Sequence, residues 1–440
     1  MQKKTIYARG PEFGSTPERE VRTVSGDLIE EYLTIYLNAY PAFKNIGDEG
    51  RSKYRARYLD SMKNDRNINF CGLFENGQLI ALAKLIDFSM NAFGKMIPAT
   101  GLMSLAVHPM HKKKGAGLDM VRFFEKYTVD SGASVSMLLP FRIDFYRKMG
   151  YGYGSKLEEY RIPTVNLPEC RDTSMIEFLG SDDLPRILEC QAAFASRNHG
   201  MLLKFEDEIR DMASDSDSRR IGYVQDGKLR GYMIYEFVCE SDVNYTLNRI
   251  EVKEFAYEDG KVLQTLLGFL RNQSDLARTV VIRTGEEDFY HILPSAQDTS
   301  GNYIDFGFLQ TNIGAIGTMY KIVDLEGFIT ASSHRKFIPV NLSTGFDYYD
   351  ELAHSEKTFN IAFETDESGK TARWHVIPKD APCDARVKCN LADLSALLMG
   401  SCRLASLLRL GGAEISDDAY ADMLDSLLCC KQKPWTNTDY

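Results

Sequence analysis

The sequence predicts a mixed α/β protein in three units, the second a diverged duplicate of the first and the third an α+β unit of its own. Two observations carry this. Asn76-Gly77 and Asp226-Gly227 each sit between two apolar runs, the pattern of a tight antiparallel hairpin, because both turn residues tolerate positive φ. Around each hairpin the same order recurs: two helical patterns before it, then a further strand, an amphipathic helix and a short buried strand. Beyond residue 322 that order is lost. The length of 440 residues accommodates about three domains at ~150 residues each.

The elements follow from local pattern. Residues 26–40 place Leu28, Ile29, Tyr32, Leu33, Ile35 and Tyr36 at helical spacing, and a second helix is predicted over 53–62. Strands are predicted at 69–74 and 79–88 across the Asn-Gly turn, then at 101–107, where Pro109 stops the ladder because it has no N–H to donate. A lysine-rich, glycine-containing loop at 111–117 opens into a helix at 118–129, which stops at Gly132. A buried strand at 134–139, a short helix at 142–148 closed by Gly150, and a strand at 151–162 complete the first unit. Residues 164–173, with a proline and little periodicity, read as a linker.

The second unit has helices at 184–196 and 205–213 and strands at 222–224, 231–237 and 248–255. A helix at 261–271 and a strand at 279–284 follow. The third has strand-like stretches at 358–364, 372–377 and 385–389, then helical patterns at 391–399, 402–408 and 417–428. The units are therefore drawn as 1–163, 164–322 and 323–440. The chain stops in Lys433-Pro434-Trp435-Thr436-Asn437-Thr438-Asp439-Tyr440, and aromatic residues so near a terminus call for a surface that buries them.

Composition excludes several classes. A net charge of −10 argues against a nucleic-acid binder, whose footprint is basic, and fits a soluble cytoplasmic protein. No stretch approaches the ~18 uninterrupted apolar residues of a membrane span, and the N-terminal MQKKTIYARGPEF lacks the apolar core of a secretory signal. Nine cysteines, an odd and scattered set with no C-x-x-C pair, read as reduced thiols. His108 and His111 have no evident third ligand, so no metal is expected. There is no G-x-S-x-G elbow, and Cys429-Cys430 lies on an apolar helical pattern, which argues against nucleophilic catalysis.

The chemistry is concentrated in Leu105-Ala106-Val107-His108-Pro109-Met110-His111-Lys112-Lys113-Lys114-Gly115-Ala116-Gly117-Leu118, where a strand enters a glycine-containing loop that opens into a helix. The first N–H groups of a helix have no internal partner and lie at the positive end of its dipole, so such a junction attracts anions. Glycines let a phosphate reach the backbone. Neither a Walker loop nor a Rossmann fingerprint is present: after Gly115 and Gly117, position 120 is Met.

What the segment matches is V-x-P-x-x-[RQ]-x-x-G-x-[GA], with lysine at 112 in the basic position. It resembles the acetyl-CoA pyrophosphate loop of the GCN5-related N-acetyltransferases (GNAT). Phe145-Tyr146-Arg147-Lys148-Met149-Gly150-Tyr151-Gly152 is similar to the Y-x-x-x-G-[FY] block of such enzymes, and the tail reads P-[aromatic]-x-N-x-[DE]-[aromatic]. Together with the degenerate second unit, these features resemble the enhanced-intracellular-survival (Eis) acetyltransferases. That family has two acetyltransferase-like domains and a sterol-carrier-like C-terminal domain.

The resemblance implies specific roles. Leu105, Ala106 and Val107 would lie along the pantetheine and acetyl group, one backbone N–H polarising the thioester carbonyl. Lys113, Lys114, Gly115, Ala116, Gly117 and Leu118 would cradle the pyrophosphate, and Phe141 and Arg142 would touch the cofactor. Tyr146 would be the general acid and the α-carboxylate of Tyr440 the general base; the family more usually ends in Phe. The acceptor would be a primary amine, either an aminoglycoside-like polyamine or a lysine side chain, and the protein a homo-oligomer, a hexamer by resemblance. Residues 252–263 of the second unit contain no G-x-G, so one cofactor site per chain is expected. The alternative is a non-catalytic acyl-CoA-binding or regulatory module.

Overall fold

The computed structural model describes residues 7–9, 18–40 and 47–438. Three large sheets organise the described residues, beside a two-stranded ribbon of Tyr303–Ile304 and Phe308–Leu309. The first has eight strands in the spatial order Tyr7–Arg9, Arg19–Thr23, Ile68–Glu75, Gln78–Ala92, Lys95–Val107, Val135–Leu138, Met319–Ile322, Gly152–Tyr153. The second has seven: Ile313–Ile316, Lys156–Pro163, Thr279–Thr284, Asn248–Tyr257, Lys228–Cys239, Arg219–Gln225, Ile176–Phe178. The third has five: Ala372–Ile377, Ser355–Thr365, Leu342–Asp350, Ala385–Asn390, Ala413–Ile415. The mixed α/β class and the α+β third unit are as the sequence predicts.

Both hairpins form as their turn residues require: Asn76 and Gly77 lie at φ 51° and 81°, Asp226 and Gly227 at 53° and 72°. Helices Ile29–Ala39 and Asp48–Asn64 cover one face of the first sheet, burying Tyr32, Tyr36 and Tyr58 beside Phe70. Helix Ala116–Asp130 covers the other with Met120, Phe123 and Phe124, its apolar residues recurring at helical spacing.

The structure corrects four sequence expectations. The strand read at 151–162 is two strands, Gly152–Tyr153 and Lys156–Pro163, and they lie in different sheets. The crossing is tight: Gly154 N–H donates to the Thr318 carbonyl at 3.0 Å, and a Cβ there would come within 2.6 Å of the Tyr320 ring. In return Met319–Ile322, from the far end of the second unit, pairs antiparallel with Val135–Leu138 in the first sheet. The stretch 164–173 is no free linker at its start. Leu167 is fully buried, Thr164 N–H donates to the Arg278 carbonyl at 2.9 Å, and Arg271 donates to the Leu167 carbonyl at 2.8 Å.

The strand predicted at 101–107 begins at Lys95, after a second tight turn in which Phe93 and Gly94 have φ of 55° and 92°. Finally, the central strand of the third sheet, Leu342–Asp350, shows no strand pattern in sequence. Gly345 and two aspartates depress its β-propensity, and the Arg386 guanidinium lies over Gly345, where a Cβ would displace it.

Candidate active site

Strands Lys95–Val107 and Val135–Leu138 run parallel only from Ala99 to Leu102, so residues 103–107 continue alone into an open gap. The strand is also irregular there. Leu82 opposes Ala106 and Lys84 opposes Met103, which leaves Ser104 and Leu105 across from the single residue Ala83. This is a β-bulge, and Ser104 occupies it at φ 56°. His108 N–H donates to the Ile80 carbonyl at 2.8 Å. By the alternation of an antiparallel pair, Ala106 also faces that neighbour, while Leu105 and Val107 turn their N–H and C=O groups toward the gap.

At the end of the strand His108 caps a 3-10 turn, Pro109–His111, its ring Nδ1 accepting the Met110 N–H at 3.3 Å. His111 Nδ1 is 3.4 Å from Glu75. His108 thus caps the turn that enters the loop. Gly115 is the N-cap of helix Ala116–Asp130 at φ 86°, in the left-handed region where a Cβ is disfavoured. The amides of Lys113, Lys114, Gly115, Ala116, Gly117 and Leu118 donate to nothing among the described residues. Lys112, Lys113, Lys114 and Gly115 are exposed, while Ala116 is buried.

The loop is fixed from behind by Arg19. Its guanidinium pairs with Asp119 at 2.6 Å and Glu75 at 2.8 Å, and donates to the Lys114 carbonyl at 3.0 Å. Arg19 was not legible as a site residue: it lies 95 residues from the carbonyl it holds, in no motif.

The short helix Ile143–Lys148 closes the other side of the gap. The edge of the Phe145 ring would sit 3.5 Å from a Cβ on Gly117, with the Val107 side chain at 3.8 Å, so the loop, strand end and short helix meet. Tyr146 is 3% exposed, packed edge-on to Phe145 and Tyr151. Its hydroxyl has no hydrogen-bond partner among the described residues. Burial pushes its pKa up to about 12, so the phenol keeps its proton at neutral pH. Phe141 is exposed, and Arg142 pairs with Asp144 at 2.5 Å; both line a shallow cavity with Arg147 and Tyr153.

Tyr440 lies outside the described residues, but the tail is seated as far as Thr438. The Pro434 carbonyl accepts from Ser155 N–H at 3.3 Å and Ser155 Oγ–H at 2.5 Å; Trp435 N–H donates to the His199 carbonyl at 3.1 Å. Gly200 admits the tail backbone and Gly285 the Trp435 side chain: Cβ atoms on them would fall 2.7 Å from Pro434 and 2.6 Å from Trp435. The Trp435 side chain is buried in a cluster with Phe194, Tyr232, Ile234 and Ala256.

His199 is itself a junction. Its ring stacks on Phe93 at 4.3 Å, accepts the Phe93 N–H at 3.2 Å, and reaches the Met399 carbonyl at 2.8 Å, joining all three units. Burial lowers its pKa to about 4, which keeps it neutral and suits an accepting Nδ1 and a donating Nε2. Near the chain end the Asn437 side-chain amide and Thr438 Oγ1 are buried without partners among the described residues.

The class follows from this geometry and from likeness to known families. Residues 20–154 match one acetyltransferase (GNAT) domain family, residues 200–305 a second, and residues 333–437 the sterol carrier protein domain family. The chain therefore carries two GNAT acetyltransferase domains followed by a sterol-carrier-like C-terminal domain.

Solved structures with the same whole-chain architecture include a GCN5-related N-acetyltransferase from Anabaena variabilis (TM-score 0.77, 15% identity, covering 96% of this chain and 100% of that one). A protein from Enterococcus faecalis described as a probable N-acyltransferase gives 0.75, 17%, 96% and 99%. Eis1 from Mycobacterium abscessus gives 0.71, 18%, 96% and 100%. No curated protein sequence matches this one. The likeness to these structures is one of fold: two GNAT domains followed by a sterol-carrier-like domain, in the same order. Among the described residues no helix is long and apolar enough to cross a membrane, and no three His, Cys, Asp or Glu side chains group as metal ligands.

Proposed function

We propose that the protein transfers the acetyl group of acetyl-CoA to a primary amine, on a polyamine of the aminoglycoside kind or on a lysine side chain. The observation that carries this reading is the open, glycine-capped junction at 113–118 lying beside a buried, protonated phenol, Tyr146. The free amides and exposed lysines suit a pyrophosphate, and the gap beyond Leu102 suits the extended pantetheine arm, with Leu105 and Val107 offering backbone groups to it.

In the reaction a neutral amine attacks the thioester carbonyl and forms the C–N bond. A backbone N–H of the bulged strand receives the developing oxyanion. As the C–S bond breaks, Tyr146 gives its proton to the departing sulfur. The amine proton passes to the α-carboxylate of Tyr440, directly or through water. The tail, seated through Pro434 and Trp435, supports that assignment.

The experiment measures release of the CoA thiol from acetyl-CoA with a panel of amines, on the wild-type chain, a chain amidated at Tyr440 and a chain extended by one residue. Both changes displace or remove the carboxylate while Trp435 stays docked, and both are expected to cut turnover as deeply as deletion of Tyr440. Full turnover by the extended chain would reduce the tail to a plug. Wild-type binding of acetyl-CoA without turnover on any amine would favour the non-catalytic module.

A further inference from the structure

The bulge at Ser104–Leu105 is a strained piece of backbone. A serine at φ 56° sits where residues other than glycine are disfavoured by roughly 1–2 kcal/mol, and such a conformation persists only when its surroundings hold it. Two tyrosines from one helix do so. The Tyr40 hydroxyl, just past the end of helix Ile29–Ala39, donates to the Leu105 carbonyl at 3.1 Å. Tyr36 lies beside Ser104 and packs edge-on to Tyr58 at 5.3 Å. Their rings pack at 5.1 Å. Burial, and to a lesser extent Tyr146, raises the Tyr40 pKa, so its hydroxyl stays a donor.

We propose that Tyr40 is a positioning residue for acyl transfer: by holding the Leu105 carbonyl it sets the rotation of the bulged peptides, and so aims the gap-facing N–H groups at the thioester oxygen. This rests on the acyl-transfer reading above. The bulge alone would leave the Leu105 carbonyl in the gap without a protein donor, where it could rotate against the acyl oxygen and repel it. With the hydroxyl in place the oxygen-bearing edge is occupied, and the neighbouring N–H groups keep their directions as charge builds. Such preorganisation lowers the barrier without strengthening ground-state binding.

The test is Tyr40→Phe, which removes one oxygen and leaves the ring packed against Tyr36. Its kcat is expected to fall about tenfold, less than the loss of a whole oxyanion donor, with KM for acetyl-CoA and affinity for free CoA within about twofold of wild type. In parallel, hydrogen exchange of the peptide spanning residues 103–108 should quicken in the variant. Unchanged exchange there overturns the clamp whatever the activity does. Faster exchange with unchanged kcat, or a rise in KM alone, overturns the positioning role. The exchange arm needs no substrate, so a wild-type protein that acetylates no amine would sink the proposed reaction and leave the clamp itself measurable. Ser104→Gly is the second variant. It relaxes the φ strain, and in that background Tyr40→Phe should retain its kcat penalty, because the Leu105 carbonyl is still unheld; loss of the penalty would mean Tyr40 only counters strain.

Discussion

The first and second GNAT domains are built alike and end differently. In both, a long strand carries a bulge, outruns its parallel neighbour and turns into a helix; in the second domain Lys253 is the extra residue, and pairing with Thr279–Thr284 ends at Glu251. The helix caps differ. Gly115 leaves the junction amides open, whereas Asp259 caps helix Gly260–Arg271 with its carboxylate, accepting the Val262 N–H at 3.0 Å. That carboxylate occupies the place an incoming phosphate would take and repels it.

The short helices differ too. Ile143–Lys148 buries Tyr146, while Phe289–Ile292 buries Phe289 and exposes Tyr290. Trp435 then packs on Gly285, at the end of the shorter strand. The same backbone plan thus serves once as a candidate cofactor cleft and once as the dock for the tail.

The largest expected effect breaks the comparison at the phenol. Tyr146→Phe makes the first short helix resemble the second, and should lower turnover by roughly 10²–10⁴ with acetyl-CoA affinity unchanged, measured by CoA release and calorimetry. Next is the cap. Gly115→Val forces a β-branched residue into φ 86° and narrows the junction, and should weaken acetyl-CoA binding by about 10- to 30-fold while the circular dichroism stays that of the wild type. The smallest effect sharpens the contrast from the other side. Asp259→Ala should cost about 1 kcal/mol of stability in urea melts, as cap losses do, and should add no second CoA site, because the junction there has no G-x-G pair.

The duplicated plan was legible because hairpin turns and amphipathic helices write themselves locally: Asn76-Gly77, Asp226-Gly227 and the apolar stripe of 116–130 each need only their own neighbours. The strand–glycine–helix junction was legible for the same reason. What stayed hidden depends on distance. Arg19 reaches the loop from another strand, Tyr40 reaches Leu105 across 65 residues, and neither forms a spacing pattern with its partner. The exchanged strands were misread because Gly152–Tyr153 and Lys156–Pro163 are continuous in pattern, and only the close packing of Gly154 against Tyr320 parts them.

That exchange has a consequence during synthesis. Val135–Leu138 has one neighbour already made, Lys95–Val107, but its other, Met319–Ile322, is encoded some 180 residues later. At ~5–20 residues per second the nascent first domain waits on the order of 10–40 s with that edge unpaired. A bare, apolar strand edge is a template for pairing with other chains. The first domain therefore cannot finish folding before the second has been translated, and the two mature as one cooperative body. A fragment ending at Pro163 would carry the loop and Tyr146 and still lack a strand from the middle of its own sheet.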